Sequence, residues 1–137
     1  MIKELTIEAK IENLQDVLAF AESVFESVDM PMKPMIQLNI AVEEIFVNVA
    51  SYSYPDSTGD VTIKLDSEEV PGRMLVTFTD SGIPYDPLAK EDPDTTLSLE
   101  ERGVGGLGIF MVKKSMDAMR YCYENNCNIL TIEKTYA

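Results

Sequence analysis

Residues 41–50 read AVEEIFVNVA, an apolar run interrupted by Glu43, Glu44 and Asn48. Residues three and four apart are neighbours on a helix, so Glu44 and Asn48 share a face with Cβ atoms about 6 Å apart. A carboxylate at the edge of an apolar helix can act as a general base. An amide carbonyl is a hard oxygen ligand suited to Mg²⁺. The ordinary alternative is a solvated stripe, which is where most Glu residues sit. Ala41, Ile45, Val47 and Val49 leave little polar surface for such a stripe.

Two further stretches carry possible chemistry. DSGIPYDP, residues 80–87, places Asp80 at the end of an alternating run and Gly82 two residues on. Asp-Ser-Gly is common in turns. In a binding site, Asp80 would accept a hydrogen bond from a ligand amine, and Gly82 would let a planar ring approach the backbone. RGVGGLGIFMVKK, residues 102–114, runs from glycines into an apolar helix. Free N–H groups and the positive dipole end make such a helix start a phosphate cradle. No Lys-Ser/Thr follows the last glycine, so this is not a P-loop, and no strand precedes it as a dinucleotide fold requires. Its ordinary alternative is a mobile loop before a helix.

These residues need elements to hold them. Leu5, Ile7, Ala9 and Ile11 alternate as on a strand. Leu14, Val17, Leu18, Ala21, Val24, Phe25 and Val28 fall at helical spacing, with Asn13 as the expected N-cap. Pro34 suits the first turn of a second helix, which is expected to run to about Tyr54 and stop before Pro55. Val61, Ile63 and Leu65, then Met74, Val76 and Phe78, predict a hairpin around VPGR. Residues 81–106 form a long Gly-, Pro- and acid-rich segment, a length that is usually functional in a small domain. A third helix over about 107–116 and strands over about 118–123 and 128–134 complete the chain. This order predicts an α+β fold, helices covering one face of a mostly antiparallel sheet, with residues 1–137 as a single domain.

Composition narrows the function. The chain has 137 residues, 45% of them hydrophobic, with 11 Lys+Arg against 24 Asp+Glu, a net charge of −13. That charge disfavours nucleic acid and anionic membranes and fits a neutral or basic protein partner. Histidine is absent, which removes the commonest general base and zinc ligand. Cys122 and Cys127 are too few for a disulfide scaffold or a Cys-rich metal site and read as a cytosolic pair of buried thiols. The N-terminal residues do not read as a signal peptide, and no apolar run approaches membrane-spanning length, so a cytoplasmic protein is expected.

Taken together and in order, the motifs resemble the histidine-kinase-like (GHKL) ATPase superfamily and, within it, the small anti-sigma-factor serine/threonine kinases. The family's Glu-x-x-x-Asn helix is matched by Glu44 to Asn48, its Asp-x-Gly by Asp80 to Gly82, with Tyr85-Asp86-Pro87 following. Its Gly-Gly-Leu-Gly helix start is matched by Gly105, Gly106, Leu107 and Gly108, and its Met-Asp pair by Met116-Asp117. The likeness covers nearly the whole chain and is strongest at 41–48, 80–87 and 102–117. It implies a Bergerat fold: a two-layer sandwich of a mostly antiparallel mixed sheet with three helices on one face.

The resemblance also implies roles. Asn48 would coordinate the Mg²⁺ that bridges the phosphates of ATP, and Glu44 would take the proton from an incoming hydroxyl. Asp80 would bind the adenine amine; Gly82, Gly106 and Gly108 would allow close backbone approach. Residues 88–104 would be a lid, with Arg102 reaching the phosphates. Three departures stand out. Tyr52 occupies a position where many relatives carry a packing His. Asn128 and Ile129 stand where many carry a phosphate-touching Thr, with Thr131 further along. Gly103 follows Arg102 where close relatives often have Pro.

The expected function is an ATP-dependent serine/threonine kinase in a partner-switching pathway. It would phosphorylate a small anti-sigma-factor antagonist and bind a sigma factor or equivalent target. A homodimer stays open, since relatives often form one. The alternative is a nucleotide-gated module that sequesters a partner without phosphoryl transfer; a third reading is an ATP hydrolase using the same Glu44. A sensor histidine kinase is disfavoured because the chain has no histidine to phosphorylate.

Overall fold

A computed structural model describes residues 1–89 and 106–137. The chain starts with β1 (Ile2–Glu8), then a 3-10 turn (Ile11–Asn13), α1 (Leu14–Ser27) and α2 (Met32–Tyr52). The hairpin β2 (Asp60–Asp66) and β3 (Arg73–Asp80) follows, then a 3-10 turn (Pro87–Ala89), α3 (Gly106–Ser115), β4 (Ala118–Glu124) and β5 (Cys127–Thr135). The sheet order is β1-β2-β3-β5-β4. Every pairing among the described residues is antiparallel, so the mixed character expected of the sheet is not seen there.

The alternation read from the sequence is the alternation of the sheet. Val61, Ile63 and Leu65 on β2, Met74, Val76 and Phe78 on β3, and Leu130 and Ile132 on β5 are buried in one cluster. Val17, Ala21, Val24 and Phe25 of α1, Leu38, Ala41, Val42, Ile45 and Phe46 of α2, and Val112 of α3 complete it. The three helices therefore cover one face. The other face carries polar cross-strand pairs: Thr6 with Thr62 at 2.8 Å, Thr77 with Thr131 at 3.2 Å, and Glu133 accepting from both Arg73 and Arg120.

Several boundaries differ from expectation, each for a local reason. β1 ends at Glu8 because its partner strand starts at Asp60, the residue paired with Glu8. Ile11 consequently leaves the strand face and is 50% exposed. Asn13 precedes α1, but its side chain makes no capping bond. The 3-10 turn feeds directly into α1, and Asn13 Nδ2 reaches back to donate to the Glu8 carbonyl at 2.9 Å. α2 stops at Tyr52, two residues short of Tyr54. The cysteines are not the buried pair expected: Cys122 is exposed and Cys127 half-buried, beside the β4–β5 turn.

The turns follow their chemistry. Gly72 closes the β2–β3 turn at φ +79, a region that suits glycine. Asn125 and Asn126 at φ 54 and 62 form the two-residue β4–β5 turn, the left-handed pair that a tight hairpin favours.

Candidate functional site

α2 delivers the first pair. Asn48 Nδ2 donates to the Glu44 carbonyl at 2.8 Å and to Glu44 Oε1 at 3.1 Å. Both acceptors are oxygens, which assigns the amide nitrogen to that side and turns Oδ1 away from Glu44. Glu44 is half-buried, at the edge expected for the carboxylate, and Asn48 is only 7% exposed. The Glu44 carboxylate lies against Gly108. A Cβ at Gly108 would come within 2.2 Å of Glu44 Cδ and Oε1. Gly108 sits in the first turn of α3, where the helix dipole favours a negative charge.

β3 delivers the second centre. Asp80 ends the strand at 4% exposure. Its Oδ1 accepts from Gly82 N at 2.9 Å and Asn128 Nδ2 at 2.9 Å, and its Oδ2 from the Ser53 hydroxyl at 3.2 Å. None of the ion pairs among the described residues involves Asp80. A carboxylate has about four acceptor positions. Three are filled by neutral donors, which leaves capacity on Oδ2 for a further donor. A carboxylate buried without a cation is costly unless such donors surround it.

Gly82 has a different neighbour from the one expected. What approaches it is the protein itself: a Cβ there would lie 2.1 Å from the Ser53 carbonyl oxygen. That oxygen also accepts from Ile83 N at 2.9 Å. The glycine lets residues 81–83 dock on the end of α2, which in turn holds the Ser53 hydroxyl on Asp80.

One narrow cleft runs from Asn48 to Asp80. Ile45, Val49, Phe78, Ile109 and Leu130 form its apolar walls, and Asn48, Ser53, Asp80, Tyr85, Tyr121 and Asn128 supply its polar groups. Burial raises the Tyr121 phenol above its ordinary value despite a backbone hydrogen bond from Tyr85, and the charges of Asp86 and Asp80 add to the rise. Tyr121 therefore stays a neutral donor, to Asn128 Oδ1. Tyr52 stacks on Tyr85, centroids 5.0 Å apart and planes at 25°, the packing role expected of this position.

Gly106 and Leu107 open α3. Arg102 and Gly105 lie outside the described residues, as does nearly all of the expected lid, from residue 90 onward. Asn128 pairs with Asp80 in the sheet and bonds to it, so it belongs to the Asp80 end of the cleft. Thr131 faces Thr77 on the opposite side of the sheet and cannot reach the cleft. Ser53 and Tyr121 were not legible as site residues; nothing in their local sequence marks them.

No group of three or more His, Cys, Asp or Glu among the described residues could hold a metal ion. A cation beside Asn48 would draw most of its ligands from a bound polyphosphate and water, which is how Mg²⁺ commonly sits with nucleotides. The residues present thus fit a Mg-nucleotide better than a free ion.

An antiparallel sheet under three helices, with a carboxylate in the floor of the cleft and a Glu–Asn pair against a glycine-rich helix start, defines the histidine-kinase-like ATPase architecture. Residues 7–134 match the histidine kinase-like ATPase domain family, and this chain belongs to it. The serine-protein kinase RsbW of Bacillus mycoides (strain KBAB4) is 22% identical over 131 residues, spanning 93% of this chain and 81% of that protein. RsbW of Bacillus cereus (strain B4264) is similar to the same extent. The crystal structure of the RsbU and RsbW domains of Rv1364c from Mycobacterium tuberculosis matches 98% of this chain with TM-score 0.70 at 13% identity. This chain spans 32% of that longer one, and the likeness is one of fold.

Proposed function

We propose that this protein is an ATP-dependent serine/threonine kinase of a partner-switching pathway. Its substrate is a small anti-sigma-factor antagonist, and it also binds a sigma factor or an equivalent regulatory target. One observation carries the reading: a single cleft runs from a buried carboxylate with spare acceptor capacity to Asn48, which bonds to Glu44, whose carboxylate lies against the first turn of α3. The similarity to RsbW kinases supports the same class.

Asp80 accepts the exocyclic amine of adenine on Oδ2. The apolar walls sandwich the ring. Asn48 presents Oδ1 to Mg²⁺, which when bound screens the phosphate charge. The N–H groups opening α3, at Gly106, Leu107 and Gly108, face the phosphates, with Gly105 and Arg102 just before them. Glu44 takes the proton of a serine or threonine hydroxyl. That oxygen then bonds to the γ-phosphorus as the bond to the β-phosphate oxygen breaks, and ADP leaves. Such transfer depends chiefly on positioning and charge neutralisation, which these residues supply. The base matters for kinase activity and not for nucleotide binding alone, which favours the kinase over a sequestering module.

The test incubates the protein with radiolabelled ATP, Mg²⁺ and a small antagonist protein from the same organism. Label should appear on a serine or threonine of the antagonist. Tight ATP binding and a nucleotide-dependent partner complex with no transfer would identify the sequestering module instead. Phosphate release without a labelled partner would identify a hydrolase.

A further inference from the structure

Asn128 is the most completely bonded side chain of the cleft. It is 4% exposed. Its Nδ2 donates to Asp80 Oδ1 at 2.9 Å and to the Ile83 carbonyl at 2.7 Å. Its Oδ1 accepts from Tyr85 N at 3.0 Å and from the Tyr121 hydroxyl. Two protons and two lone pairs are the full capacity of an amide. Asn128 therefore has nothing left for a ligand, although it lines the cleft.

We infer that Asn128 is a positioning residue that makes the cleft select a purine amine, acting through Asp80; this rests on the nucleotide reading above. Its amide pairs with Ile83 O and Tyr85 N as a neighbouring strand would, and clamps the segment after β3 onto β5. The same amide holds Asp80 Oδ1. With Gly82 N as the second donor on that oxygen, the carboxylate cannot turn about its own axis. The open position is then confined to Oδ2, beside the Ser53 hydroxyl.

The chemistry of that position is one-sided. An exocyclic amine, as in adenine, fills it with a donor. A ring carbonyl, as in hypoxanthine, brings lone pairs against a buried carboxylate at that position and moves the nearest donor to the ring N1–H. A site built around a required hydrogen bond can reject the analogue lacking it by about 10²-fold or more. Without Asn128, Asp80 can rotate and the Ser53 hydroxyl can swing its proton to a carbonyl. The cleft then accepts either base. Asn128 is thereby a determinant of selectivity without touching the ligand.

The experiment measures dissociation constants for Mg-ADP and Mg-IDP, which differ by amine against carbonyl at one ring carbon and by the N1 proton that accompanies the carbonyl, in the full chain. The wild type should prefer ADP by about 10²-fold or more. In Asn128→Ala and Asn128→Asp that ratio should fall at least about tenfold, with each melting temperature recorded separately. A general loss of stability weakens both ligands alike and leaves the ratio unchanged, so an unchanged ratio in both variants overturns the inference. Should neither variant fold, NMR of the wild type decides. The Asn128 side-chain amide protons should be protected from exchange and shift on ADP addition more than on IDP addition, with no through-space signal to the base. Such a signal, or equal shifts, overturns the inference. A wild type that binds neither nucleotide overturns the nucleotide reading itself, and the role of Asn128 with it.

Discussion

Glu44 and Asn48 touch, yet their losses should look different. Glu44→Gln keeps an oxygen for Asn48 Nδ2 and removes the base. Nucleotide affinity should stay close to wild type while transfer slows by roughly 10²–10⁴-fold, the usual worth of a positioned base. Asn48→Ala removes the oxygen offered to the metal and should weaken Mg-ATP binding itself. Because Asn48 is buried and bonded to Glu44, this variant should also melt slightly below wild type. Calorimetry and single-turnover transfer separate the two; an equal loss of affinity in both variants would refute the division of roles.

Two glycines beside the site, Gly108 and Gly82, predict opposite outcomes. At Gly108 an added Cβ meets the far end of the Glu44 side chain, which can move aside. Gly108→Ala should keep or raise the melting temperature, since alanine is favoured over glycine in a helix by up to about 1 kcal/mol. Transfer should nevertheless fall about 10²-fold as the base is displaced. At Gly82 the added Cβ meets the Ser53 carbonyl, which is backbone. Gly82→Ala should destabilise the fold by about 1–3 kcal/mol, the usual cost of overpacking. Thermal melts beside transfer assays distinguish the two.

At the scale of elements, the fold depends on junctions as much as on strands. Asp117, between α3 and β4, donates its N–H to the Glu133 carbonyl at 2.9 Å and accepts from Thr135 N on Oδ2 at 2.5 Å. The Thr135 N–H is the main reason the Asp117 carboxyl lies below its ordinary 3.8. A folded value below the unfolded one gives stability that is present above pH 3.8 and lost as pH falls through the lower folded value. Asp117→Asn should therefore lose part of the neutral-pH stability and show a smaller further loss on acidification below about pH 4. Urea midpoints across that range check it; parallel pH dependences in both proteins would count against Asp117.

At the scale of the molecule, a net charge of −13 opposes entry of a polyphosphate anion. Mg²⁺ lowers that repulsion, so ADP should stabilise the protein with Mg²⁺ far better than with a chelator. At free ligand about 100 times Kd, the gain is about 2.7 kcal/mol by mass action. Asp80→Asn should abolish the preference for adenine while the apo protein stays folded. A saturating Mg-ADP titration with no thermal shift and no heat would remove the basis of the nucleotide reading. Among the described residues no helix is long and apolar enough to cross a membrane.

The elements were legible from local pattern, because the periods of strand and helix are imposed by the backbone and show in any short window. So were Glu44 with Asn48, one helical turn apart, and Asp80 at a strand end. The convergence of the site was not. Ser53, Asp80, Tyr85, Tyr121 and Asn128 meet because β5 lies between β3 and β4, an arrangement formed across 48 residues between Asp80 and Asn128. Register then decides which side chain enters the cleft. Side chains alternate along a strand, so Asn128 faces the helices and Thr131, three residues on, faces away. The local sequence holds both residues on equal terms. Only the pairing of β5 with β3 chose between them.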